Sequence, residues 1–141
     1  MSDFLRNFAR DFATLNKHNL DRLKGLYSAD AVFQDPLHKI HGLQNIERYF
    51  AQLYENVSDL NFDFHGFDQV ANGEGYLLWT MSYRHPRLAG GNLIYVDGCS
   101  HLLWNSKVYQ HRDYFDAGSL LYEHLPVMGR VITWLKGRLA G

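Results

Sequence analysis

The residues of this chain best suited to chemistry are two aspartates and a histidine in two separate segments. Asp35 follows a short apolar run, and His111 and Asp113 are separated by a single residue. Alternate residues of a β-strand point to the same face, so His111, Asp113 and Phe115 are predicted to share one. A carboxylate can shuttle a proton when burial or a neighbouring charge raises its pKa toward neutrality. These residues therefore offer general acid–base chemistry if the fold encloses them.

Each of these residues also has a purely structural interpretation. An aspartate before proline, as at Asp35, is typical of a turn in which the carboxylate accepts local backbone hydrogen bonds. His111 and Asp113 can satisfy each other inside a core without any catalysis. Asp35, His38 and His41 have a spacing that could suit a metal, but eight histidines in the chain make such a coincidence common. We therefore expect no metal site.

The elements that position these residues begin with helices. Apolar residues recur at helical spacing over residues 4–15, 20–27 and 43–53. A brief strand at residues 31–33 precedes the third helix, and it stops at an Asp-Pro pair because proline cannot donate to a β-ladder. The first aspartate is thus predicted to lie at the end of this strand.

From residue 60 onward, apolar residues alternate with polar ones, which is the period of β-strands. Gly66 interrupts the alternation and predicts a bulge, and Asn72-Gly73 predicts a hairpin turn. The four strands and a C-terminal helix are predicted at residues 60–71, 76–83, 93–104, 107–115 and 126–139. Helices followed by long strands joined through tight turns indicate one α+β domain over residues 1–141.

Composition excludes several classes of function. The chain has 141 residues, of which 46% are apolar and 21% charged, which is typical of a globular domain. A net charge of -1 gives no field that would attract nucleic acid, so we expect no nucleic-acid partner. The N-terminal residues lack the apolar region of a signal peptide, and no segment approaches the roughly 20 apolar residues of a membrane span. We expect a cytoplasmic protein without a membrane span.

The order of the elements and two segments of the chain resemble the nuclear transport factor two superfamily, which includes ketosteroid isomerase, limonene epoxide hydrolase and SnoaL-like polyketide cyclases. The segments are Ala31-Val32-Phe33-Gln34-Asp35-Pro36, followed by His41-Gly42, and His111-Arg112-Asp113-Tyr114-Phe115-Asp116. The resemblance covers residues 4–116 and implies a cystatin-like cone, in which a curved antiparallel sheet wraps over N-terminal helices. Its open end is expected to admit a small apolar molecule, and its outer sheet face to form a homodimer.

The resemblance also implies roles for individual residues. Asp35 resembles the general base of ketosteroid isomerase, and Asp113 resembles the aspartate of limonene epoxide hydrolase that activates water. His111 with Asp113 resembles the His-x-Asp pair of SnoaL-like cyclases. We therefore predict that both carboxylates face one dry cavity, one as general acid and one as general base, with His111 tuning or relaying the proton. The predicted pocket lining is Phe33, His38, Trp79, Met81, Tyr83, Ser100 and Phe115.

The catalytic sets of the two best-known relatives are incomplete in this chain. Asp11 and Ser100 stand where the isomerase has the tyrosine and aspartate of its oxyanion hole. Trp79 and Met81 stand where the hydrolase has its arginine and second aspartate. Because one oxyanion-hole donor is commonly worth about 10²–10³ in rate, steroid isomerisation is not expected.

Three functions stay open on the sequence alone. The first is a cofactor-free acid–base enzyme of isomerase, cyclase or hydrolase type, acting on a small apolar substrate that is carbonyl-bearing or polycyclic. The second is a non-catalytic binding domain for an apolar ligand, and the third is a protein-interaction module. The pair of carboxylates favours the enzyme, because a binder of apolar ligands would avoid the cost of burying acids.

Overall fold

A computed structural model of the chain describes residues 3–116. The predicted helix at residues 126–139 lies outside the described residues and stays a prediction. Two α-helices, α1 (Phe4–Ala13) and α2 (Leu43–Tyr54), accompany one six-stranded sheet in this part of the chain. The strands are β1 (Tyr27–Gln34), β2 (Lys39–His41), β3 (Ser58–Ala71), β4 (Glu74–Arg84), β5 (Ile94–Trp104) and β6 (Val108–Phe115). The predicted α+β class is confirmed.

The sheet has the strand order β2-β1-β6-β5-β4-β3. Neighbouring strands are antiparallel, as predicted, except for β1 and β6, which pair in parallel. Phe33 pairs with His111, and Gln34 pairs with Arg112. Because parallel strands end at the same edge of a sheet, the end of β1 at Gln34 brings the following residue, Asp35, close to the end of β6.

The helices cover the inner face of the sheet and form the core. Helix α1 is amphipathic, and its buried residues are Leu5, Phe8, Ala9 and Phe12. Phe8 and Phe12 each place their rings 6.0 Å from the imidazole of His111. On α2, Phe50 packs edge-on against Phe33 with the ring centroids 5.1 Å apart. The segment around His111 is therefore enclosed by aromatic rings.

Two predicted backbone features are confirmed. The pairing of β3 with β4 shifts between Phe64 and Gly66, which is the predicted bulge. A Cβ at Gly66 would lie 2.7 Å from the side chain of Leu78, so glycine allows this close approach. Gly73 has a φ of +72° in the hairpin turn, a conformation that glycine adopts without strain.

Other boundaries differ from the prediction. The second predicted helix is a 3₁₀ helix at Leu20–Gly25, and Tyr27, which was placed on that helix, instead begins β1. Strand β1 is thus longer than the predicted residues 31–33. The prediction was too short because the first half of the strand carries the polar residues Ser28 and Asp30 and gives no apolar signal. Among the described residues, no helix is long and apolar enough to cross a membrane.

Candidate active site

Asp113 on β6 lies at the centre of a network of hydrogen bonds. Its Oδ1 is 2.6 Å from Nε2 of His111 and accepts a hydrogen bond of 2.5 Å from Oγ of Ser100. Ser100 is the residue of β5 that pairs directly with Asp113. The side chain of Asp113 is 15% exposed, and its Oδ2 has no hydrogen-bond partner among residues 3–116. Within the described residues, one carboxylate oxygen is therefore held by two side chains, and the other has no partner.

Trp79 holds Ser100 in place through a second hydrogen bond. The indole Nε1 of Trp79 donates to Oγ of Ser100 over 2.9 Å, and both residues are buried. The indole lies across Gly98, where an added Cβ would come within 2.3 Å of the ring. Gly98 therefore gives Trp79 the space to reach Ser100. Trp79 donates to Ser100, and Ser100 in turn donates to Asp113.

Tyr27 contacts His111 on the opposite side of the imidazole. The hydroxyl of Tyr27 is 2.6 Å from Nδ1 of His111, and the two side chains are fully buried or nearly so. Burial raises the pKa of Tyr27 well above its ordinary value, and the negative charge of Asp113 raises it further. Tyr27 is therefore a neutral phenol. Sequence reasoning missed this residue because only the pairing of β1 with β6 brings it to His111.

Asp35 makes the turn that its position before proline predicted. Its Oδ1 accepts hydrogen bonds from the backbone N–H groups of Leu37 and His38, over 2.9 and 2.8 Å. Its Oδ2 accepts a short hydrogen bond from the hydroxyl of Tyr49 on α2. The side chain of Asp35 is only 8% exposed. The predicted turn, in which Asp35 accepts local backbone hydrogen bonds, is therefore confirmed. Such a turn is compatible with a further role of this carboxylate at a ligand site.

Tyr49 is a second residue that sequence reasoning missed. Besides donating to Asp35, its hydroxyl lies 3.1 Å from Nδ1 of His38. Burial raises the pKa of Tyr49, and so do the hydrogen bond to Asp35 and the negative charges of Asp35 and Asp113. No pattern along the sequence singles it out, because it reaches Asp35 only once α2 packs on β1.

A cleft of about 270 Å³ opens where β1 and β6 end. Its lining residues are Asp35, Pro36, Arg112, Asp113, Tyr114 and Phe115. Both predicted carboxylates therefore border the same cavity, and Phe115 is the one predicted lining residue that does so. A volume near 300 Å³ is at the small end of the range for ligand pockets.

The other predicted lining residues do not border this cleft. Four are buried in the core, namely Phe33, Trp79, Tyr83 and Ser100. Met81 is partly buried, and His38 exposes 52% of its side chain beside Asp35. Asp11, which stands at the place of an oxyanion-hole tyrosine, is exposed on α1 next to Arg10. Ser100 contacts Asp113, which borders the cleft, and Trp79 contacts Ser100. Phe33 packs its ring 4.8 Å from that of His111.

The described residues offer no assembled metal centre. Within residues 3–116, no group of three His, Cys, Asp or Glu side chains is arranged to hold a metal ion. Asp35 and His38 lie together, with Oδ1 and Nδ1 3.6 Å apart. His41 lies on β2, the short edge strand of the sheet.

Solved structures share this fold. A candidate SnoaL-like polyketide cyclase from Shewanella putrefaciens CN-32 is 17% identical, with a TM-score of 0.70 over 85% of this chain and 94% of that chain. A protein with a ketosteroid isomerase-like fold from Catenulispora acidiphila DSM 44928, solved with trimethylamine, has a TM-score of 0.72 at 14% identity, over 86% and 92% of the two chains. A nuclear transport factor two-like protein of unknown function from Burkholderia pseudomallei K96243 has a TM-score of 0.72 at 13% identity, over 86% and 97%. The protein thus has the cone-shaped fold of the nuclear transport factor two-like superfamily, as its sequence resemblance predicted.

Within this superfamily, the family model of the SnoaL-like domain matches residues 8–106. The chain therefore belongs to the SnoaL-like domain family. The matched residues end before β6, so the match does not include His111 and Asp113, and their placement in the site rests on the structure alone. A search of the curated proteins finds no matching sequence.

Proposed function

We propose that this protein is a cofactor-free acid–base enzyme that acts on a small molecule in the cleft between the ends of β1 and β6. The observation that carries the proposal is the state of Asp113. Its Oδ1 is held by two protein donors, while its Oδ2 has no partner among the described residues and the side chain borders the cleft. A carboxylate held in this way is oriented to accept a proton from a ligand.

The two aspartates have different roles in this proposal. Asp113 takes the proton, since its Oδ2 has no partner among residues 3–116. Asp35 accepts three hydrogen bonds, from two backbone groups and from Tyr49. These bonds fix the orientation of the Asp35 carboxylate on the cleft wall. The remaining lone pair of its Oδ2 can accept a hydrogen bond from a hydroxyl or another donor of the substrate.

The cleft also indicates the kind of substrate. Pro36 and Phe115 give the cleft apolar wall surface, and Asp35 and Asp113 give it two carboxylates that can accept hydrogen bonds. This combination suits a small, mainly apolar molecule that carries a carbonyl group and an acidic C–H or hydroxyl beside it. Removal of that proton by Asp113 would start an isomerisation or a ring closure of the aldol type.

A ligand screen followed by kinetics tests the proposal. Thermal shifts are measured with steroids, terpenoids and polyketide fragments at several pH values, because a ligand that binds the folded state raises its stability. Compounds that stabilise the protein are then assayed for turnover. We expect Asp113→Asn to lower kcat at least about 10²-fold, as is usual for loss of a general base.

Asp63→Asn is the matched control for this substitution. Asp63 is exposed on β3, between two phenylalanines that face the core, so the same chemical change there should leave kcat unaltered. An unchanged kcat in Asp113→Asn on an active compound would contradict the assignment of the base.

A non-catalytic binding domain is the second candidate function. It is favoured by the hydrogen bonds of Asp35, because a carboxylate that already accepts three of them needs no chemical role to explain its burial. Under this alternative, compounds stabilise the protein but none is converted, and Asp113→Asn changes only the affinity.

We also propose a homodimer through the outer face of the sheet. Leu78, Tyr95 and Tyr114 lie on this face and expose 48%, 65% and 47% of their surface. Covering such a face would remove apolar area from water. Light scattering after size-exclusion chromatography is expected to give twice the monomer mass, and Tyr95→Glu to shift the protein toward the monomer. A monomeric wild-type protein at high concentration would exclude this assembly.

A further inference from the structure

We propose that Tyr27 is a positioning residue for the site: it fixes the proton of the neutral His111 imidazole on Nε2, so that His111 and Ser100 together lock Asp113 with one oxygen turned to the cleft. The inference deepens the proposed function and rests on it for its catalytic meaning. Its structural content, the position of one proton, can be measured without a substrate.

The first step concerns the direction of the bond between Tyr27 and His111. A phenol has a single proton, and within residues 3–116 the hydroxyl of Tyr27 has one hydrogen-bond partner, Nδ1 of His111. If Nδ1 carried the proton and donated it, the hydroxyl proton of Tyr27 would be buried without an acceptor in the described structure. A buried donor left in this way loses its hydration without compensation. The phenol therefore donates, and Nδ1 accepts.

The second step concerns the other ring nitrogen. Nε2 lies 2.6 Å from Oδ1 of Asp113. Oδ1 of an ionised carboxylate can only accept, so Nε2 must carry a proton at this distance. A neutral imidazole has one N–H, and both contacts are satisfied only when that proton is on Nε2.

The third step concerns Ser100, where the direction is fixed in the same manner. An indole N–H can only donate, so Oγ of Ser100 accepts from Trp79 and uses its own proton for Asp113. Two one-way chains, Tyr27 to His111 and Trp79 to Ser100, thus converge on a single oxygen of Asp113. Nε2 of His111 also lies 3.3 Å from Oγ of Ser100, a longer contact than the 2.6 Å to Oδ1 of Asp113.

The consequence is a carboxylate that is oriented before a ligand arrives. With Oδ1 held from two directions, rotation of the Asp113 side chain would break both bonds, so the carboxylate keeps its orientation at the cleft that it borders. When Oδ2 takes a proton from the substrate, the electron pair of the broken bond stays on the substrate. No bond of the network has to rearrange, which is the advantage of a preorganised site.

Nuclear magnetic resonance of the full chain labelled with ¹⁵N-histidine tests the inference. Two-bond correlations between ring protons and nitrogens distinguish a protonated from an unprotonated ring nitrogen, and the signals of His111 are identified by their loss in His111→Gln. We expect the wild-type protein at neutral pH to show His111 with Nε2 protonated and Nδ1 unprotonated. A protonated Nδ1, in the other tautomer or in the imidazolium, would overturn the proposal, and this result is read from the spectrum of the wild-type protein.

Two tyrosine variants then separate positioning from bulk structure. Tyr27→Phe removes the donor, so the Nδ1 signal should move toward that of a nitrogen without a hydrogen bond, while Nε2 keeps its proton through the contact with Oδ1 of Asp113. Tyr54→Phe is the matched control, because Tyr54 is also buried but makes no hydrogen bond to His111, and its His111 signals should stay as in the wild type. An unmoved Nδ1 signal in Tyr27→Phe would also overturn the proposal.

Kinetics on a substrate from the screen connect this result to function. A positioning role predicts that Tyr27→Phe lowers kcat about tenfold or more while KM changes little, whereas Tyr54→Phe changes neither. If the spectra agree with the proposal but Asp113→Asn keeps full turnover, the proposed function fails and the assignment of the proton stands. If Asp113→Asn is inactive and the wild-type spectrum shows a protonated Nδ1, the positioning role of Tyr27 fails alone.

Discussion

Ser100→Ala tests the buried network through stability and needs no ligand. The substitution removes one oxygen that serves two bonds, the acceptor for Nε1 of Trp79 and the donor to Oδ1 of Asp113. Trp79 is 3% exposed and Ser100 is 3% exposed, so water cannot take the place of the lost oxygen without disturbing the core. A hydrogen bond to a charged group contributes about 1.5–3 kcal/mol, and a buried donor without a partner costs about 1–3 kcal/mol. Since the two effects overlap, we expect the free energy of unfolding to fall by about 2–4 kcal/mol.

Urea denaturation of the purified protein measures this change from the shift in the transition midpoint at constant slope. Ser82→Ala is the matched control, because Ser82 on β4 is partly exposed and has no side-chain hydrogen bond in the described structure. Its change is expected to stay within about 0.5 kcal/mol, the usual range for such sites. If Ser100→Ala behaves like Ser82→Ala, the directed network around Asp113 does not exist as described.

A double-mutant cycle makes the same test specific to one bond. Trp79→Phe alone removes the indole donor together with part of the ring, so it is destabilising for two reasons. Both substitutions break the same contact. The losses of unfolding free energy in the two single variants should therefore sum to at least about 0.5 kcal/mol more than the loss in the double variant, Trp79→Phe with Ser100→Ala. Strict additivity would mean that the indole and the hydroxyl do not interact.

Two further predictions concern packing and pH. Gly98→Ala should lower the free energy of unfolding by about 1–3 kcal/mol, because the new Cβ would overlap the indole of Trp79, and urea denaturation with Gly25→Ala, where the space is open, provides the comparison. Burial raises the pKa of Tyr83 to about 12 from its ordinary value of 10.0. The folded state then holds this proton where the unfolded chain releases it, so the contribution of Tyr83 to stability is fully present below pH 10 and is lost as the pH rises through about 12. Urea titrations across this range should show a smaller loss in Tyr83→Phe than in the wild type, and an equal loss would contradict the cause.

The part of the site that sequence could predict is the part set by local periodicity. The period of two along residues 107–115 predicts that His111, Asp113 and Phe115 share a face, and the burial pattern of β6 alternates in that phase from His111 to Phe115. The turn at Asp35 is also local, because a carboxylate before proline reaches the next backbone N–H groups whatever the tertiary structure. Both features depend on neighbours within a few residues.

The part that sequence could not predict depends on long-range contacts. Tyr27 was placed on a helix, since the leucines before it have helical spacing, yet it begins a strand and reaches a residue 84 positions further along the chain. Tyr49 meets Asp35 only because α2 packs against β1. Strand β2 has three residues, too few to give a periodic signal. In each case the information lies in the pairing of elements and not in the pattern of any one of them.

The parallel pair in the sheet explains why two acids without adjacent positions in sequence share a cleft. Had β1 paired with β6 in the antiparallel sense, the ends of the two strands would lie at opposite edges, and Asp35 would be a full strand length from Asp113. Parallel pairing instead puts Gln34 beside Arg112, so the next residues of both strands meet at one edge. From there, proline stops β1 at a turn in which Oδ1 of Asp35 accepts two backbone hydrogen bonds, whereas β6 continues to Phe115 and keeps Asp113 within the strand. The same topology thus brings the carboxylates together and makes them unequal, since the turn and Tyr49 engage both oxygens of Asp35, whereas Oδ2 of Asp113 has no partner among residues 3–116.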